Sequence, residues 1–187
     1  MWEKTHRPSQ VYSTVFTLDD ATLIVIDDLG KITWYAAATG AVRREIVRRR
    51  GSTASLMAGA LSPDGATLAV GGSDHKVALY DIATGDLLHE ITCSGWVWSL
   101  AFSPSGRMLA VGGDRHAQGP NLSLYDTGTN ELLGEKSART HAPYHSNSIP
   151  TTRFSPDGTS LIAGGMNQTL VFYSENHLNP PPGGVLY

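Results

Sequence analysis

The chain has one cysteine, Cys93, in 187 residues, so neither an internal disulfide nor a cysteine-based metal cluster can form. That suits a reducing, cytoplasmic setting. No apolar run approaches the ~18 residues a membrane span requires, and Met1-Trp2-Glu3-Lys4 lacks the hydrophobic core of a secretory leader. There is no Gly-x-Ser-x-Gly elbow, no phosphate loop ending in Lys-Ser/Thr and no His-Glu-x-x-His. The sequence therefore points away from an enzyme and calls for no cofactor. A strong charge of one sign is missing too, with 14 Lys and Arg against 17 Asp and Glu. The balance is uneven, because eight of the basic residues lie in 1–50 against six acids. This argues against a general affinity for nucleic acid and leaves room for one local basic patch.

What the chain does have is turns and short apolar runs in a recurring order. Ser62-Pro63-Asp64-Gly65 returns as Ser103-Pro104-Ser105-Gly106 and as Ser155-Pro156-Asp157-Gly158, in steps of 41 and 52 residues. An apolar run ending in tyrosine recurs at Tyr35, Tyr80, Tyr125 and Tyr173. Such self-similarity marks a repeat architecture of short strands joined by tight turns. Four repeats follow, the first being the most altered, with Leu18-Asp19-Asp20-Ala21 at the place of Ser-Pro-Asp-Gly. Gly71-Gly72, Gly112-Gly113 and Gly164-Gly165 recur with the unit and read as turn glycines after a strand, not a nucleotide cradle.

A period near 40 with four strands per unit resembles the WD40 β-propeller family. Trp96 to Gly106 is similar to its innermost strand and following turn, and Val77-Ala78-Leu79-Tyr80-Asp81 to its third strand, with Tyr for the signature Trp. Asp74 matches the family's turn aspartate. No Gly-His dipeptide is present, so the family's Asp–His–Ser–Trp network cannot form, and blade rigidity must rest more on packing. The resemblance implies an all-β, WD40-like propeller with four four-stranded blades per chain over residues 1–175, followed by a Pro/Gly-rich tail at 176–187. Aligning Phe16 with Phe102 makes Met1–Thr5 an outermost strand that completes the last blade. Four blades are few for a closed ring of this family. The leading expectation is half of an eight-bladed homodimer, beside a closed four-bladed monomer and a part of a longer propeller.

The resemblance also implies a non-catalytic scaffold that binds a protein or peptide. Two long insertions, 114–121 and 137–148, fall on one face of such a fold, as do Trp96 and the end of the basic run. The expected partner contacts are Trp96, Arg115, His116, Arg139, Tyr144 and His145, with Arg48 and Arg50. The rival is a nucleic-acid-binding module using the basic stretch Arg43–Arg50, against which stands a cationic edge strand that deters aggregation. His116, His141 and His145 read as solvated loop histidines, so no metal is expected. Tyr80 and Tyr125 are expected to be buried, as are Trp2, Trp34 and Trp98.

Overall fold

The computed structural model describes residues 1–5, 9–48, 55–114, 121–136, 148–165 and 170–174. All regular structure among them is β. The first sheet comprises β1 (Val11–Phe16), β2 (Thr22–Asp27), β3 (Lys31–Ala36) and β4 (Val42–Val47). The second is β5 (Leu56–Leu61), β6 (Thr67–Gly72), β7 (Lys76–Asp81) and β8 (Leu87–Thr92), and the third is β9 (Val97–Phe102), β10 (Met108–Gly113), β11 (Leu122–Asp126) and β12 (Leu132–Lys136). The fourth has three strands, β13 (Thr151–Phe154), β14 (Ser160–Gly164) and β15 (Leu170–Ser174). Every sheet is an antiparallel meander in sequence order.

Each turn between a first and second strand has its own chemistry. In the second sheet Ser62 Oγ donates to Asp64 Oδ1, which also accepts from Ala66 N, while Ser62 Oγ accepts from Thr67 N at 2.9 Å. Gly65 closes the turn at φ +73°, where a side chain would be strained. The fourth sheet repeats this with Ser155, Asp157 and Gly158. The first sheet does so with substitutes: Thr17 Oγ1 donates to Asp19 Oδ1, Thr22 N donates to Thr17 Oγ1, and Asp20 takes the left-handed place at φ 55°. Its turn is therefore Thr17–Asp20, one residue earlier than Leu18–Ala21 and in step with the alignment of Phe16 on Phe102.

The sheets pack face to face in order, through their first strands: β1 on β5, β5 on β9, β9 on β13. Alternation along each strand supplies apolar residues to both faces. Ile24, Ile26, Ile32 and Trp34 meet Leu56, Leu68, Val70 and Tyr80 between the first two sheets. Val77, Leu79 and Ile91 meet Val97, Leu109, Val111 and Tyr125 between the next two, and Met108, Ala110 and Leu124 meet Leu161 and Ala163 at the last seam. Tyr80 and Tyr125 are buried as expected, each facing the preceding sheet, and Trp34 is buried too. Trp98 is only half-buried, because β9 lines the central opening with β1, β5 and β13.

Two of the three glycine pairs are not turn residues. Gly71-Gly72 and Gly112-Gly113 are the last residues of β6 and β10, paired in the ladder. A methyl at Gly112 would stand 2.8 Å from Ile149 O, and one at Gly113 2.6 Å from Trp96 O. Only glycine admits neighbouring backbone this closely.

Candidate functional site

Hydrogen bonds between turns sort the connections onto two faces. Ala37 N donates to Ala21 O, Ile82 N to Ala66 O and Thr127 N to Arg107 O, which gathers the Ser-Pro-Asp-Gly-type turns and the third-to-fourth-strand turns on one face. Arg48 N donates to Gly30 O, Ser73 N to Ser55 O, Cys93 N to His75 O and Asp114 N to Trp96 O, which gathers the remaining connections on the other.

On that second face the stems of both insertions meet. Gly113 N donates to Asn121 O, closing the base of the first, and Gly113 O accepts from Ile149 N, at the end of the second, at 2.9 Å. Ser99 Oγ holds Ile149 O from the buried side. Trp96 stands beside this knot: its backbone N donates to Asp114 Oδ1 at 2.7 Å and its O accepts from Asp114 N. The indole is 36% exposed, with its ring 6.1 Å from that of Trp98. An exposed indole braced by a second one is rigid and presents apolar area at little entropic cost. Arg115, His116, Arg139, Tyr144, His145 and Arg50 lie outside the described residues, as do His141 and most of both insertions. No group of metal-binding side chains occurs among the described residues.

Arg48 is a correction. Its side chain is 5% exposed and turned inward, with Nη2 2.9 Å from Asp74 Oδ2 and 3.5 Å from Glu90 Oε1. Lys76 Nζ lies 3.2 Å from the other oxygen of Glu90, so two cations and two carboxylates close the seam between the first two sheets. A guanidinium so committed is no surface contact. The rest of the described basic run is also engaged. Arg43 Nη1 donates to Thr22 Oγ1, and Arg44 donates to Ile82 O and Ala83 O while lying over the Trp34 ring. Arg44 and Arg48 stitch the first sheet to the second, whereas Arg43 bonds within its own sheet. No sequence signal marks this, because the acids that Arg48 meets lie 26 and 42 residues downstream. Asp74, deprived of a histidine, is held by Arg48, so charge as well as packing fixes this seam.

Cys93, mostly buried at the next seam, has its thiol pushed up to about 11, chiefly by burial. It is thus an unreactive thiol.

Four meandering sheets packed face to face about a central opening define a β-propeller arc. The WD40 model (WD domain, G-beta repeat) matches residues 45–81, 85–118 and 137–174. The chain belongs to the WD40 family. The first sheet lies almost wholly outside the matched residues, in keeping with its altered turn. No curated protein gives a significant match.

Proposed function

We propose that the protein is a non-catalytic scaffold that captures another protein or peptide on the face where the two insertions emerge. WD40 repeats generally serve protein–protein interaction. The observation that carries this reading is the knot at Gly113, which joins the bases of both insertions beside the exposed Trp96. Long loops raised from a rigid base suit recognition, and an indole amid arginine, histidine and tyrosine has the composition of an interface centre. Trp96 serves as the apolar anchor. Arg115, His116, Arg139, Tyr144, His145 and Arg50 supply the polar contacts around it.

The test is capture of interacting proteins by the immobilised chain. Trp96→Ala, and Arg115→Glu with Arg139→Glu, should each abolish capture while leaving the melting temperature unchanged. Loss of capture through Arg107→Glu, on the opposite face, would overturn the assignment. Tight binding to a DNA duplex that falls steeply with salt would replace it with the nucleic-acid reading.

A further inference from the structure

Two sheet faces have no covering sheet among the described residues. β13 and β1 make no contact comparable to those that join successive sheets, so the arc is open between its ends. Along the inner part of one open face Tyr12 and Phe16 of β1 are about half exposed, whereas Val15 of the same strand packs into the seam with the second sheet. On the other open face, Thr151, Arg153 and Ile162 of the fourth sheet are exposed, whereas Leu161 and Ala163 are buried against the third.

The outer part of the first open face is occupied by Trp2. Its Nε1 donates to Ala37 O at 2.7 Å and its ring lies 6.1 Å from that of Tyr35. A methyl at Gly40 would come within 2.7 Å of it. This repeats what happens at the next seam, where Arg44, from the outermost strand of the first sheet, donates through Nη1 to Ile82 O and lies against Gly85. Ala37 and Ile82 each stand two places after the repeat tyrosine, Tyr35 or Tyr80. Trp2 thus holds, on the first sheet, the place that an outermost strand of a preceding sheet holds on the second. The fourth sheet has three strands among the described residues, and β15 is its outermost.

A second series agrees. A methyl at Gly65 would stand 2.9 Å from Leu18 Cδ1, one at Gly106 3.7 Å from Pro63 Cδ, and one at Gly158 3.4 Å from Pro104 Cδ, so each turn rests on its predecessor. The series lacks a successor for Pro156 and a predecessor for the Thr17–Asp20 turn among the described residues.

We infer that a second copy of this chain fills the open faces. The fourth sheet of one copy seats against the first sheet of the other, and residues 1–5, anchored where they are by Trp2, become the fourth strand that this sheet lacks among the described residues. Two copies related by a twofold axis then close one ring of eight blades. The contact joins unlike surfaces, yet it closes because each copy offers one of each. It covers Tyr12, Phe16 and Ile162, satisfies the outer edge of β15, and places Pro156 of one copy by the Thr17–Asp20 turn of the other. The chain's own fourth sheet is not the occupant, since β13 stands apart from β1. This inference does not depend on the recognition surface proposed above.

The test begins with the solution mass of the full chain by light scattering. Twice the 20.0 kDa of one chain is expected; the mass of one chain, or of any other multiple, overturns the inference. With Trp2 in the place of Arg44, the register Thr33↔Glu45 of the first sheet, carried to the fourth, sets Val171 opposite Glu3. In a Cys93→Ser background, Glu3→Cys and Val171→Cys chains mixed after separate purification should form a disulfide between chains. A doubly substituted chain that instead forms the bond within itself shows closure in one copy and overturns the inference. Trp2→Ala should halve the mass while keeping the β-sheet circular dichroism spectrum. A folded Trp2→Ala protein that stays dimeric overturns the anchoring role.

Discussion

Arg48 of β4 reaches across the seam between the first two sheets to set Nη2 2.9 Å from Asp74 Oδ2, in the turn before β7. The pair is close, but it misses hydrogen-bond geometry, and Arg48 Nε and Nη1 are buried without partners. Its value lies in neutralising Asp74 and Glu90, because an acid left buried without its cation is costly. Arg48→Met should destabilise by about 3 kcal/mol in a urea titration. Adding Asp74→Asn, which keeps the oxygen that accepts from Lys76 N, should restore more than half of that. Equal loss in the single and double variants would show that the guanidinium acts by packing alone.

Tyr80 is buried between Trp34 of the first sheet and the strands of the second. Tyr80→Ala should cost about 3–5 kcal/mol, as deletions of buried aromatic rings do. Equilibrium denaturation measures it, and a change below about 1 kcal/mol would contradict the packing described.

Asp20 occupies a left-handed position that glycine holds in the other three corresponding turns. Its side chain is not the one that caps the turn, which is Asp19. Asp20→Gly should therefore raise stability by about 0.5 kcal/mol, relief of strain being partly offset by the freer unfolded chain. Gly65→Ala should do the reverse and more strongly, since its methyl would also press on Leu18. Melting temperatures of the two variants should move in opposite directions.

The turn aspartates make stability pH-dependent. The Ser62 hydroxyl and Ala66 N–H hold Asp64 below its ordinary 3.8, and the Ser155 hydroxyl and Thr159 N–H do the same for Asp157. A carboxyl with a lowered folded value binds protons more readily when unfolded, so stability rises with pH there. The contribution is complete above the ordinary carboxylate range and is lost as pH falls through 3.8 towards the lowered values. Asp64→Asn with Asp157→Asn should flatten the fall in stability between about pH 5 and pH 3. An unaltered acid limb would count against this.

The burial of Tyr80 and Tyr125 was legible because repetition in sequence is repetition in space. Once Tyr80 and Tyr125 align, strand alternation sets both on equivalent faces, and the packing shows that this face meets the preceding sheet. The first turn was harder, since threonine, leucine and aspartate replace serine, proline and glycine there; the alignment of Phe16 on Phe102 implied Thr17–Asp20, the residue types suggested Leu18–Ala21, and the hydrogen bonds decide for the former. Arg48 was illegible for another reason. A run of arginines reads as solvated when nothing local neutralises it, and its acids lie in the next repeat. The meeting of both insertions was foreseeable from strand order, but the Gly113 bonds that tie their stems were not.

The succession of turns, Leu18 under Gly65, Pro63 under Gly106 and Pro104 under Gly158, also has a direction in time. The supporting residue is always upstream, as are Arg44 beneath Gly85 and Trp2 beneath Gly40. During synthesis the second, third and fourth sheets therefore each meet a platform already made, and none of the three must wait for a later sheet to seat its tight turn. In a chain whose sheets contact only their neighbours, order can spread from the first sheet at the pace of translation.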